Sequence, residues 1–218
     1  WFNILIQINN LINKKMKLDC SFDSEADSDA ETEIEIIEKP EQPIENINII
    51  KSIFKSLTKI LDNNKNLPNY KKILVKQSKM CFSSKSLPEI SLYEYLIRIQ
   101  KYSLVEKNTL ILALIYIDRL CKIGKIILTN YNIYRILFSA LILAIKYNED
   151  KYFDNEYYSQ IAGIKMDELK NIEYNFLSLC NFNVFVDEET FEKYSWNLHN
   201  SNDDNKDELN SKIMGLYI

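Results

Sequence analysis

Residues 136–145, "ILFSALILAI", place ten positions in a row with no charge and a single hydroxyl, Ser139. On a helix such a run covers every face, and a helix that is apolar all round needs packed neighbours all round. At roughly 15 Å of helix the run falls well short of the ~20 residues that would cross a bilayer. It therefore predicts the hub of a helical bundle. A second run of eight apolar residues, Leu110–Ile117, precedes it at the distance of one helix. Three glycines and four prolines in 218 residues leave few breakers, which suits helices better than a sheet with many turns. The length favours one principal domain with a real core.

Helix signals recur along the chain. "IENINIIKSIFKSLTKILDNN" sets Ile47, Ile50, Phe54, Leu57 and Leu61 at helical spacing, predicting a first helix over about residues 45–62. A lysine-rich segment read as a linker follows, to residue 87. Ser91 with Glu94, and Ser103 with Glu106, have the spacing of capping boxes, so two helices joined tightly are expected from residue 91 onward. Gly124 would stop the second of them. The hub helix should begin near Thr129. A short helix capped by Asp154 or Asn155 should end at Gly163, a fifth runs through "KMDELKNIEYNFLSLCNF", and "DEETFEKYSWNL" opens with acids suited to a helix N-terminus. No strand pattern of useful length is present, and the reading is all-α.

The net charge of −4 is unevenly spread: residues 19–45 hold eleven acids against one base, Lys39. Such a composition does not bury enough apolar surface to order itself, so residues 1–44 read as an acidic, disordered arm. Ser24 and Ser28 each have an acid three residues on, the context favoured by an acidophilic kinase. Residues 199–218 read as a flexible tail. The first residue is Trp, and Met16 stands as a candidate initiator. Four scattered cysteines without C-x-x-C spacing suggest neither zinc nor a disulfide framework, and point to a reducing, intracellular compartment, nucleus or cytoplasm.

Charged residues on buried stripes are the most informative positions. Asp118 follows Ile111, Leu114 and Ile115 along one helical line, and a carboxylate there needs a cation. Its neighbour Arg119 faces elsewhere. Two arrangements remain open: Asp118 with Lys122 on the surface and Arg98 with Glu94, or Arg98 with Asp118 across two helices. Lys146 closes the hub helix, and Glu173 lies among Leu169, Ile172, Phe176 and Leu177. The lysine serves the helix end or snorkels, unless the two helices are neighbours, in which case lysine and glutamate pair.

Little points to catalysis. The single histidine, His199, lies in the C-terminal segment, so Ser-His-Asp and Cys-His arrangements lack a base. No Gly-rich phosphate loop occurs. Carboxylate metal sites on helices want Glu-x-x-His pairs. No enzyme activity, metal, cofactor, membrane or nucleic-acid partner is expected, although Lys65, Lys71, Lys72, Lys76 and Lys79 could meet phosphates.

From Pro88 to Trp196 the chain resembles the cyclin box of P-type, phosphate-regulating cyclins. The resemblance runs in register through "PEISLYEYLIRIQKY", "ALIYIDRL", "LTNYNIYRILFSALILAIKYNED", "NEYYSQIAGIKMDELKNIEYNFL" and "FEKY". It implies a single five-helix cyclin box, residues 88–198, preceded by an extra N-terminal helix and with a C-terminal helix. It implies a cyclin regulatory subunit that binds and activates a cyclin-dependent kinase by fixing the kinase's regulatory helix. The family's arginine–aspartate lock would fall on Arg98 and Asp118. Its kinase-holding lysine and glutamate would fall on Lys146 and Glu173, with Tyr147 and Phe153 beside them. Some P-type cyclins hold the kinase activation loop with an acid, for which Glu149, Asp150 and Asp154 are candidates. The Met-Arg-Ala-Ile-Leu docking patch of cell-cycle cyclins is replaced by "LIRIQ", and no second box fits after Trp196. The alternative is a cyclin-fold adaptor that binds protein or nucleic acid without activating a kinase.

Overall fold

The computed structural model describes residues 46–200, which form eight α-helices and no strand. They are α1 (Ile47–Lys65), α2 (Tyr70–Gln77), α3 (Leu92–Ser103), α4 (Lys107–Gly124), α5 (Ile133–Asn148), α6 (Asn155–Ala162), α7 (Met166–Leu179) and α8 (Glu188–Asn200). The acidic arm, with Ser24, Ser28, Met16 and Cys20, and the tail after Asn200 lie outside the described residues.

Helix α5 is the hub. Every residue from Ile136 to Ile145 is buried, and α4, α6 and α7 pack against it. Tyr95 of α3 closes a further side, with its ring 5.1 Å from that of Tyr134 and 6.4 Å from that of Phe138. Ser139 fits this apolar run because its hydroxyl donates to the Arg135 carbonyl one turn back, at 2.7 Å, so no polar atom is stranded. Burial of each Ile, Leu or Phe here contributes roughly 1.5–3 kcal/mol. Outside this layer, α1 packs on α3 and α8, and α8 lies along α4.

The Ser91 capping box forms as the spacing predicts: Glu94 N–H donates to Ser91 Oγ at 3.2 Å, and Ser91 N–H donates to Glu94 Oε2 at 3.0 Å. The second box does not form. Ser103 is the buried last residue of α3, and Glu106 is itself the N-cap of α4, making no side-chain cap bond. Leu104, at φ 52°, makes the turn between them, and this leaves the two residues of the box on different helices. The α4 N-terminus is capped from elsewhere, as shown below.

Two further boundaries differ from the expected ones. Helix α4 ends at Gly124, but the left-handed residue is Lys125 at φ 52°. A Cβ at Gly124 would meet Leu179 Cβ of α7 at 3.5 Å, an ordinary contact, so neither the turn nor the packing requires glycine there. The lysine-rich linker contains α2, whose buried Gln77 clamps the extended connection between α4 and α5. Its amide donates to Ile127 O at 3.1 Å and accepts from Ile127 N–H at 3.2 Å. Asn64 Nδ2 adds a bond to Leu128 O at 3.0 Å. With these backbone groups satisfied, Ile126 and Leu128 turn into the core.

Ser91→Ala should lower stability by about 1 kcal/mol in urea denaturation at neutral pH. The hydrogen bonds from Ser91 hold the Glu94 carboxyl below its ordinary range. Glu94 therefore stabilises the folded chain at pH above its unfolded value, and that contribution disappears as pH falls through the depressed folded value. The stability difference between the native chain and Glu94→Gln should shrink on acidification.

Candidate functional site

Helices α5 and α7 are neighbours, and they bring Lys146 and Glu173 together. Lys146 Nζ donates to Glu173 Oε1 at 2.6 Å and to Oε2 at 2.8 Å. The side chains are 26 % and 12 % exposed, so the carboxylate is largely sealed by protein while the ammonium still reaches the surface. Lys146 stands in the last turn of α5, where the helix dipole favours a cation. Glu173 is held by its place on α7, between buried Leu169 and Ile172 on one side and Phe176 and Leu177 on the other.

Large apolar side chains are exposed at the end of the bundle where α5 closes with Lys146. Tyr102, Leu104, Tyr147, Tyr152 and Phe153 are 37–58 % exposed, a density of large side chains that folding alone does not require. They belong to one end of the bundle, where α3 and α5 finish and α4 and α6 begin. Tyr157 OH ties the α6 end to the α3 end by donating to Tyr102 O at 3.0 Å. Phe153 lies with its ring 4.3 Å from that of Tyr157 and 6.2 Å from that of Tyr158.

The three candidate acids occupy different settings. Asp154 caps α6, accepting from Tyr157 N–H at 2.9 Å. Glu149 is turned inward: its Oε1 accepts from Glu106 N–H at 3.0 Å and from the buried Thr109 hydroxyl at 2.7 Å. A carboxylate from the end of α5 thus caps α4, supplying the acceptor that Ser103 does not. Asp150 lies exposed between the two.

Arg98 and Asp118 are not paired with each other, which corrects the expected lock. Arg98 Nη2 donates to Gln160 O of α6 at 3.0 Å. Asp118 Oδ2 accepts from Tyr194 OH of α8 at 2.7 Å and pairs with Lys122 at 2.8 Å. The reason is packing: α3 lies against α6, whereas the Asp118 side of α4 is covered by α8. Burial and the nearby Asp118 charge raise the Tyr194 phenol well above its ordinary pKa, so it stays a hydrogen-bond donor at any physiological pH. Arg119 points away, donating to the carbonyls of Asn183 and Phe185 and holding the α7–α8 connection on α4.

Among the described residues no cluster of three or more metal-ligating side chains occurs, and no helix is long and apolar enough to cross a membrane. The Cys121 and Cys180 thiols are pushed up by burial, to about 12 and about 11, and Cys81 is raised for the same reason, so none of the three is a ready thiolate at neutral pH. His199 Nε2 meets Lys107 Nζ at 2.6 Å, and its Nδ1 meets the Ser195 carbonyl at 2.6 Å.

Residues 12–184 match the Cyclin family. With this match and the all-helical bundle, the chain belongs to the cyclin family. It is 35% identical over 123 residues to Cyclin-U3-1 of Arabidopsis thaliana, covering 56% of each chain. It is 31% identical over 135 residues to Cyclin-P3-1 of Oryza sativa subsp. japonica, covering 62% of this chain and 53% of that one. To PHO85 cyclin-7 of Saccharomyces cerevisiae it is 30% identical over 128 residues, covering 53% and 45%. The chain spans about half the length of the curated relatives it matches. The expected likeness to P-type cyclins is met by the rice and yeast proteins, alongside U-type plant cyclins at similar identity.

Because Arg98 and Asp118 serve separate partners, Arg98→Ala and Asp118→Ala should be additive in stability within about 0.3–0.5 kcal/mol. Asp118→Ala and Tyr194→Phe should couple by more than that in the same denaturation assay. A large Arg98–Asp118 coupling would contradict the arrangement of the α3, α4 and α8 helices.

Proposed function

We propose that this chain is a cyclin regulatory subunit that binds a cyclin-dependent kinase and activates it by seating the kinase's regulatory helix on the Lys146 and Glu173 end of the box. The observation that carries the reading is the Lys146–Glu173 pair at the end of α5, together with the large side chains exposed at that end of the bundle. Glu173 fixes the lysine, and the ammonium keeps hydrogen-bonding capacity for backbone carbonyls of a docked helix. Tyr147, Tyr152, Phe153 and Leu104 supply the apolar area that a stable interface needs.

The mechanism is allosteric. Phosphoryl transfer requires the kinase's lysine and regulatory-helix glutamate to be paired. A partner that binds only that pose shifts a 1:99 equilibrium to 99:1 with about 5.5 kcal/mol of differential affinity, which an interface of roughly 2,000 Å² can supply. In this reading the chain holds no catalytic group of its own. The relative named as a PHO85 cyclin makes a PHO85-type kinase the natural partner to test. Modification of Ser24 and Ser28 by an acidophilic kinase, and an intracellular location in nucleus or cytoplasm, belong to the same proposal.

Lys146→Ala and Glu173→Ala should each weaken kinase binding by at least about 2 kcal/mol, roughly 30-fold, and abolish activation in a kinase assay with purified partner, with far-UV circular dichroism unchanged. A folded variant that activates as well as the native chain would refute the site.

A further inference from the structure

We infer that Glu149 is a positioning residue: it anchors the partner-facing loop 150–154 by accepting hydrogen bonds inside the chain, and its charge does not meet the partner. The inference rests on the reading of this end of the box as the kinase-binding face. Glu149 closes α5, with its N–H on Ile145 O at 2.9 Å and its backbone turned to an extended conformation. From there its side chain crosses to the start of α4, where one oxygen, Oε1, takes both the Glu106 N–H and the Thr109 hydroxyl. Thr109 is fully buried and also accepts from Asn148 Nδ2 at 3.0 Å, so the last residue of α5 and the Glu149 that follows it are bound to the start of α4.

The loop beyond has no regular structure and carries Asp150, Tyr152 and Phe153 to the surface. Its far end is held by Phe153 N–H on the hydroxyl of buried Tyr158 at 3.3 Å and by the Asp154 cap of α6. Glu149 is therefore the near anchor of a segment suspended between two fixed points. Loss of that anchor leaves the loop to be ordered at the moment of binding, which weakens affinity without removing a contact. Both accepted bonds go to the same oxygen, so a glutamine can reproduce them and an alanine cannot. Of the three acids near the site, Asp150 is the one left to face a partner, since Glu149 and Asp154 spend their carboxylates on helix starts.

The test uses the full chain with Glu149→Gln, Glu149→Ala and Thr109→Val, and two measurements. Amide hydrogen exchange of residues 150–154 in the free protein reads the anchor, and affinity for a PHO85-type cyclin-dependent kinase reads its consequence. Glu149→Gln should keep both within about threefold of the native chain, while Glu149→Ala should raise exchange and weaken affinity by about tenfold each. Thr109→Val, at a position no partner can touch, should move both in the direction of Glu149→Ala. Equal loss of affinity in the Gln and Ala variants with unchanged exchange would overturn the inference, because the charge would then be meeting the kinase. Unchanged exchange in Glu149→Ala and Thr109→Val would overturn it as well. If the native chain binds no kinase, the functional reading fails, and the exchange arm alone decides whether Glu149 is the anchor.

Discussion

The structure depends on burying α5 from all sides. A ten-residue stretch with no charge cannot lie on a surface, so the other helices are arranged around it, and its two ends become the only places where it can meet water. At one of those ends Lys146 emerges and finds Glu173 on α7. The pair and the buried hub are thus one feature, since Lys146 is the first residue after the last buried turn of α5.

Carboxylates hold the periphery, and each does so by accepting from a helix start or a buried hydroxyl. Glu94 closes the capping box of α3, Asp154 caps α6, Glu149 caps α4 from the end of α5, and Asp118 receives Tyr194 of α8. These bonds join elements that hydrophobic contact alone would leave free to slide. Two of them, Glu149 and Asp154, lie at the end of the bundle that carries Tyr147, Tyr152 and Phe153. The large side chains exposed there are consequently presented on fixed supports.

Several elements were legible because their signals are local. The Ser91 and Glu94 spacing, the Asp154 cap and the Gly163 stop at φ 69° each involve residues within one turn of chain. The hub was legible because its composition excludes any exposed face. The neighbouring signals Ser103 and Glu106 misled for the same local reason: the spacing is right, but a left-handed residue between them puts the two on different helices. Helix α2 was missed since its one buried residue, Gln77, acts through a connection fifty residues away. The Arg98–Asp118 pairing also failed at long range, because it required α3 to present Arg98 to α4, and α3 presents it to α6.

The sequence by itself determined that the chain is an all-helical bundle, which helix lies at its centre, and that Lys146 and Glu173 are charges out of place on apolar stripes. Periodicity and the cost of an unpaired buried charge are enough for those conclusions, since both act along one helix. Only the tertiary structure decided who meets whom: Lys146 with Glu173, Asp118 with Tyr194 and Lys122, Glu149 with the start of α4. Those choices depend on which helix faces are brought together, and helix faces that look equivalent in sequence become distinct only when neighbours cover some of them and leave others open.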